Sequence, residues 1–144
     1  MTQPPDHFKH NADGPNYAGD HLLLEFWGAR MLNDVNAIRR SLEASAVAAG
    51  ATILHSHFHR FGDGGGISGV TLLAESHITI HTWPERGYAA IDIFMCGECD
   101  PRDCLSVLEA AFRPSRIDQQ LIRRGYAARL TRSRALPARI ANAR

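Results

Sequence analysis

The sequence predicts an α+β fold, a two-layer sandwich with two helices on one face of a mostly antiparallel sheet. Strand-like and helix-like segments follow one another in the order βαββ and then ββαβ, which is the first observation behind this prediction. The second is size and composition. A chain of 144 residues, 44% hydrophobic and 22% charged, is typical of one globular domain.

Strands are predicted where apolar residues alternate with polar ones between turn residues. They are placed at residues 21–27, 52–61, 69–75, 77–81, 88–96 and 117–125. The glycine-rich stretch 62–66 separates the second strand from the third, and Pro84 with Gly87 separates the fourth from the fifth. Because the helices cover one face of the sheet, we expect a second copy of the protein to cover the other.

Two helices are predicted from apolar spacing and from their end signals. The first spans about 34–49, where apolar residues recur at helical spacing and Gly50 ends the helix. The second spans 104–112, after a start signal in which Asp100 precedes Pro101.

The basic residues exclude one class of cofactor. The formal net charge is +1, and 15 of the 16 basic residues are arginine, so Lys9 is the one lysine of the chain. Pyridoxal phosphate enzymes hold their cofactor on a lysine. Lys9 lies in a polar N-terminal arm, so the sequence predicts an enzyme without pyridoxal phosphate.

Both termini are predicted to lie outside the domain, which spans residues 19–127. The arm of residues 1–18 is expected to be flexible and has no apolar run for a signal peptide or membrane span. We therefore expect a cytoplasmic protein with no membrane partner. The tail of residues 128–144 is rich in arginine, but lysine clusters and interleaved aromatic residues are missing. This favours a solvated tail over a nucleic-acid-binding arm.

The cysteines do not form a disulfide framework. Cys96, Cys99 and Cys104 are odd in number and fall within nine positions. One Cys-x-x-Cys pair without a second is a weak signal for a metal site.

The richest segment lies at residues 75–85, with the sequence ESHITIHTWPE. It closely resembles the bacterial and archaeal S-adenosylmethionine decarboxylase proenzymes, whose hallmark is Glu-Ser-His-x-Thr-x-His-Thr-Trp-Pro-Glu. Further matches in colinear order are GDHL at 19–22 with Glu25, GATI at 50–53, FHRF at 58–61 and SGV at 68–70.

The resemblance implies a self-processing enzyme. Its chain would break between Glu75 and Ser76 into a β chain of residues 1–75 and an α chain of residues 76–144. The Ser76 hydroxyl would attack the Glu75 carbonyl, and elimination and hydrolysis would convert Ser76 into a pyruvoyl group. His81 matches the proton acceptor of this processing, and Ser68 matches the serine that assists it.

The resemblance also implies the reaction of the mature enzyme. The pyruvoyl group would form a Schiff base with the amine of S-adenosylmethionine and accept electrons as carbon dioxide leaves. Cys96 matches the proton donor to the product, which is the aminopropyl donor for spermidine. Phe61 and Glu85 match positions that line the substrate site. The implied cofactor is the self-generated pyruvoyl group, with no metal.

Strand geometry adds a prediction about assembly. Ser76 and His81 are an odd number of residues apart, so on an extended strand they point to opposite faces and lie roughly 16 Å apart. We therefore expect a homodimer with two composite sites, in which His81 and Ser68 act on Ser76 and Cys96 of the partner subunit.

Three alternatives stay open at this stage. The stretch 62–67, Ala74 and Met95 depart from the family pattern, so a pyruvoyl decarboxylase of the same family that acts on arginine or ornithine is one alternative. An unprocessed binding or regulatory homologue is the second. The third is a metal-binding module on three alternating histidines, His55, His57 and His59.

Overall fold

Six strands and two helices occur in the predicted order in the computed structural model, which describes residues 6–126. The strands are β1 (Gly19–Trp27), β2 (Ile53–Arg60), β3 (Ile67–Leu73), β4 (Ser76–Trp83), β5 (Tyr88–Met95) and β6 (Arg116–Arg124). The helices are α1 (Val35–Ala48) and α2 (Leu105–Phe112), and short 3-10 turns lie at Pro84–Arg86 and Pro101–Cys104. The predicted α+β class is confirmed.

All neighbouring strands pair antiparallel, in the sheet order β2-β3-β4-β5-β1-β6. The strands that carry the richest sequence segment, β4 and β5, therefore lie at the centre of the sheet, where backbone pairing on both sides holds their side chains in place. Strand β3 begins at Ile67, two residues earlier than predicted, because buried Ile67 pairs with Arg60 of β2.

Helices and sheet share one apolar core. On β1, β4 and β5, alternate residues point toward the helices and are buried, which is the pattern of a sheet covered on one face. Fully buried members of the core include Leu22, Leu24, Phe26, Ile38, Leu42, Ile78, Ile80, Ile93, Leu108 and Phe112. Helix α1 begins as predicted, with the Asp34 carboxylate accepting a hydrogen bond from the amide of Ala37 at 3.0 Å.

The opposite face of the sheet carries polar and aromatic side chains that are half-buried or exposed. Leu72 is 48% exposed there and Trp83 is 40% exposed, both on central strands. The expectation that a second copy covers this face stays a prediction.

Residues 6–18 differ from the expected arm, because they lie against the domain. Lys9 and Tyr17 pair as an isolated bridge, and the carbonyl of His7 accepts a hydrogen bond from the amide of Gly97 at 2.8 Å. Lys9 is only 9% exposed, with its ammonium 3.7 Å from the buried Asp20 carboxylate and bonded to the Cys99 carbonyl. Lys9 is therefore packed against the domain, where its charge offsets a carboxylate that β1 buries.

The division of the chain at residues 18 and 127 stays a prediction. The arginine-rich tail, residues 128–144, lies outside the described residues. Within the described part of the chain, neither helix is long and apolar enough to cross a membrane.

Candidate active site

The connection between β3 and β4 is a tight turn at the junction predicted to break. Leu73 and Ser76 are directly paired, so only Ala74 and Glu75 connect the two strands. Ser76 has a φ of 140°, a conformation that residues other than glycine rarely adopt. Strain of this kind costs on the order of 1–3 kcal/mol and is concentrated at functional sites. The residue that follows the Glu75–Ser76 peptide bond is therefore strained.

The Glu75 carbonyl, which the Ser76 hydroxyl is predicted to attack, has a defined hydrogen-bond donor. The amide of Cys96, just past the end of β5, donates to this carbonyl oxygen at 3.0 Å. The Glu75 carboxylate in turn accepts a hydrogen bond from the amide of Thr52 at 2.9 Å. Both contacts hold the Glu75–Ser76 junction against the neighbouring backbone.

A cavity of about 300 Å³, here called the serine cavity, opens at this junction. It is lined by His7, Phe8, Ala18, Ala74, Glu75, Ser76, Phe94 and Cys96. Three of the predicted site residues, Glu75, Ser76 and Cys96, are thus brought together. His7 and Phe8 were not predicted to take part, because a polar terminal segment gives no signal that it packs against a cavity.

A second cavity of about 400 Å³, here called the histidine cavity, holds the other predicted site residues. It is lined by Phe61, Gly66, Ser68, His81, Thr82, Trp83 and Glu85. Ser68 and His81 are directly opposite in the register of β3 and β4, and Ser68 Oγ lies 2.8 Å from His81 Nδ1. Trp83 is an aromatic member of this wall that was not predicted to line the site, although it belongs to the hallmark segment.

The two cavities do not share a lining residue. Ser76 begins β4 and His81 lies five residues further along the same strand, or roughly 16 Å at the usual rise of a strand. One chain therefore divides the predicted site into two parts, each with reactive groups that the other lacks.

A hydrogen-bonded cluster on the uncovered face of the sheet adjoins the serine cavity. Asp92 Oδ2 lies 2.7 Å from His21 Nε2 and 3.2 Å from His77 Nε2, and Thr79 donates to the other carboxylate oxygen. Ser76 Oγ lies 3.2 Å from His77 Nδ1. Asp92 and His21 were not among the predicted site residues, although a carboxylate among the apolar residues of a central strand was a usable signal.

The Asp92 carboxyl is ionised in this cluster. Burial by itself raises its pKa, but hydrogen bonds from His77 and His21, together with the charges of these rings, outweigh burial and lower the pKa below its usual value. The carboxylate is therefore a permanent acceptor for both imidazoles.

The three cysteines lie in different environments. All are free thiols; Cys96 is half-buried at the serine cavity, whereas Cys99 and Cys104 are buried. Burial raises the pKa of Cys99, and it raises the pKa of Cys104 to about 12. Cys99 and Cys104 are thus inert core thiols.

Within residues 6–126, the group of side chains with ligand atoms close enough for a metal ion is His21, His77 and Asp92. The alternating histidines His55, His57 and His59 lie on β2, which is an edge strand, and do not form such a group. The alternative of a metal-binding module on these three residues therefore lacks support.

A family model described as S-adenosylmethionine decarboxylase matches residues 20–125. The chain belongs to the S-adenosylmethionine decarboxylase family. The predicted family and enzyme class, a carboxy-lyase, are confirmed. The match covers every residue that lines the histidine cavity and five of the eight that line the serine cavity. The other three, His7, Phe8 and Ala18, precede the matched range.

Curated relatives in this family are similar over most of their length. An S-adenosylmethionine decarboxylase proenzyme of Thermomicrobium roseum is 37% identical over 108 residues, which are 74% of this chain and 93% of that protein. A proenzyme of the same name from Methanococcus maripaludis is 43% identical over 110 residues, covering 74% of this chain and 89% of its own.

A solved structure supports the fold. The crystal structure of the adenosylmethionine decarboxylase from Aquifex aeolicus superposes with a TM-score of 0.69 at 37% identity, covering 76% of this chain and 92% of the other. The sheet and helices described above therefore match the fold of that decarboxylase.

Proposed function

We propose that this chain is a self-processing, pyruvoyl-dependent decarboxylase that converts S-adenosylmethionine into its decarboxylated form and carbon dioxide. The observation that carries the proposal is the junction itself. Ser76 adopts a strained φ, and the carbonyl before it accepts a hydrogen bond from Cys96 at 3.0 Å. The naming of the relatives as proenzymes agrees with a chain that matures by cleavage.

Processing begins with attack of the Ser76 hydroxyl on the Glu75 carbonyl. Negative charge then develops on the carbonyl oxygen, toward which the Cys96 amide already points. A preorganised donor of this kind stabilises the charged intermediate more than the ground state, by about 3–4 kcal/mol in well-studied cases. The same contact keeps the junction beside the Cys96 thiol, which takes part in the later reaction.

Removal of the Ser76 α-proton is assigned to His81. Its Nδ1 lies 2.8 Å from the Ser68 hydroxyl, which orients the ring. A neutral imidazole has one ring nitrogen with a free lone pair, so it can accept this proton as a general base. Because His81 and Ser76 of one chain are far apart, we assign each His81 to the Ser76 of a partner subunit.

The uncovered face of the sheet supports such a dimer. It presents exposed apolar residues on central strands, including Leu72 and Trp83, and packing against a second copy would bury them. Such packing would also complete each serine cavity with the histidine cavity of the partner, giving two composite sites.

The residues around Ser76 fit the pyruvoyl group that the family forms there. This group supplies a carbonyl that accepts electrons when the bound substrate loses carbon dioxide. Cys96, half-buried at the serine cavity, is placed to donate a proton to the substrate α-carbon. Phe61 and Trp83 offer aromatic faces for the adenine or the sulfonium, and Glu85 offers a carboxylate for the ribose hydroxyls.

We further propose that the protein acts in the cytoplasm. Its reaction needs Cys96 as a free thiol, and the cysteines among residues 6–126 are unpaired, which fits a reducing compartment.

A substrate assay tests the proposed function. The purified protein should release carbon dioxide from carboxyl-labelled S-adenosylmethionine but not from labelled arginine or ornithine. The Ser76→Ala variant, which lacks the precursor of the cofactor, should be inactive. Turnover of arginine or ornithine without turnover of S-adenosylmethionine would assign the chain to the alternative substrate class.

A further inference from the structure

His77, a histidine without a role so far, contacts the serine that is proposed to be processed. His77 follows Ser76 in the chain, and its Nδ1 lies 3.2 Å from Ser76 Oγ, within the range of a hydrogen bond. The other ring nitrogen faces Asp92 Oδ2 at 3.2 Å. Ser76, His77 and Asp92 thus form a hydrogen-bonded chain of hydroxyl, imidazole and carboxylate within one subunit.

The carboxylate fixes the protonation of the histidine ring. An ionised carboxylate only accepts hydrogen bonds, so the imidazole nitrogens that face Asp92 must be the protonated ones. In a neutral His77 ring, Nε2 is then the donor and Nδ1 has the free lone pair. The free lone pair faces the hydroxyl of Ser76, as a base must.

Neighbours of Asp92 hold this arrangement in place. His21 Nε2 donates to the same carboxylate oxygen at 2.7 Å, and Thr79 donates to the second oxygen. The Phe94 ring lies against both imidazoles, with centroids 5.4 Å from His21 and 6.1 Å from His77. These contacts restrict the rotation of the carboxylate and of both rings, which is the role of an orienting group in an activated nucleophile.

We propose that His77, oriented by Asp92, is the base that activates the Ser76 hydroxyl in the ester-forming step of self-processing. This inference rests on the proposed function and adds a division of work between two histidines. His77 acts in its own chain on the hydroxyl proton, and His81 of the partner subunit acts later on the α-proton.

The step is balanced within the chain. The proton of the Ser76 hydroxyl moves to His77 Nδ1, and Oγ forms a bond to the Glu75 carbonyl carbon. The π electron pair of the carbonyl bond moves to the carbonyl oxygen. When this pair returns, the carbon–nitrogen bond of the peptide breaks. The proton held by His77 passes to the released nitrogen, which becomes the amine of Ser76, and Glu75 is left joined to Ser76 Oγ as an ester.

Hydroxylamine separates the two histidine steps, because it cleaves esters at neutral pH and leaves peptide bonds intact. The variants are His81→Ala, His77→Gln and the two combined, each purified as the full chain. Glutamine keeps a side-chain N–H within reach of Asp92 but has no counterpart of Nδ1. His10→Gln is the matched control, since His10 is exposed and, among residues 6–126, its side chain is hydrogen-bonded to Asn16 alone.

We expect hydroxylamine to split His81→Ala at the Glu75–Ser76 junction, because its ester forms but does not eliminate. The double variant should resist hydroxylamine, and His77→Gln alone should process at least about 100-fold more slowly than the unaltered chain. His10→Gln should process normally. Asp92→Asn no longer fixes the His77 ring and should also slow ester formation. This variant replaces His77→Gln in the test if His77→Gln does not fold.

Two results would overturn the role of His77. One is an ester in the double variant that forms as fast as in His81→Ala. The other is normal processing of both His77→Gln and Asp92→Asn in folded protein. Failure of the unaltered chain to cleave at all would instead contradict the proposed function, so the two failures are distinguishable.

Discussion

The free thiols differ in access to solvent at the scale of single residues. Cys96 is half-buried at a cavity, whereas Cys99 and Cys104 are buried and their pKa values are raised by burial. We expect iodoacetamide to label Cys96 in the native protein and to stop decarboxylation. Peptide mass mapping of the labelled protein measures this, with Cys96→Ala as the control. Preferential labelling of Cys104 would contradict the described core.

The buried pair of Lys9 and Asp20 makes a second prediction for single residues. Replacing Lys9 by methionine leaves the Asp20 carboxylate buried without its partner, so the free energy of unfolding should fall by about 3 kcal/mol. Urea unfolding measures the change. Arg102→Met is the matched control, because it removes one partner of an exposed pair with Asp100 and should cost under about 1 kcal/mol. Equal effects would contradict the burial of Lys9.

Asp92 makes the stability of the protein depend on pH. Against the opposing effect of burial, hydrogen bonds from His77 and His21 lower its pKa in the folded protein, so the ionised carboxylate stabilises the fold at pH values above its unfolded pKa near 3.8. This stabilisation is lost as the pH falls through the lower pKa of the folded state. Asp92→Asn should therefore lose less stability than the unaltered chain as the pH falls from about 5 to about 3. Thermal unfolding at both pH values measures this. An unchanged acid dependence would contradict the assigned interactions of Asp92.

Site residues that belong to a linear motif could be predicted from the sequence. Ser68 and His81 were paired by the resemblance, and their side chains are in hydrogen-bond contact. His21 and Asp92 are 71 positions apart and meet only because β1 pairs with β5, so a linear motif does not reveal them.

At the scale of elements, strand boundaries were predictable because one face of the sheet is buried and the alternation of side chains is regular. The N-terminal segment, residues 6–18, was not predictable in this way. Its polar composition is typical of a solvated arm, while its position depends on one ion pair and on backbone contacts such as that between His7 and Gly97.

Deleting residues 1–8 tests the contribution of this segment. The deletion removes His7 and Phe8 from the wall of the serine cavity and keeps Lys9 for its pair with Asp20. We expect a raised KM for S-adenosylmethionine with a smaller change in kcat, because a cavity wall is lost while the reacting groups remain. Unchanged steady-state kinetics would show that the segment does not border the working site.

At the scale of the whole molecule, the separation of the two cavities predicts that subunits complement one another. Co-expression of Ser76→Ala chains with His81→Ala chains, each with its own tag, gives mixed dimers. The His81→Ala chain should be cleaved in these dimers, because its partner supplies His81. Western blots of the two tags measure cleavage. An uncleaved His81→Ala chain in mixed dimers would contradict the composite site.

The central claim is that the chain breaks at Glu75–Ser76 to make its own carbonyl. Intact-mass spectrometry of the purified protein tests it most directly. We expect a β chain of residues 1–75 and an α chain of residues 76–144, the latter lighter by one ammonia than a chain that begins with a free serine. A single uncleaved species of 15.9 kDa would contradict it.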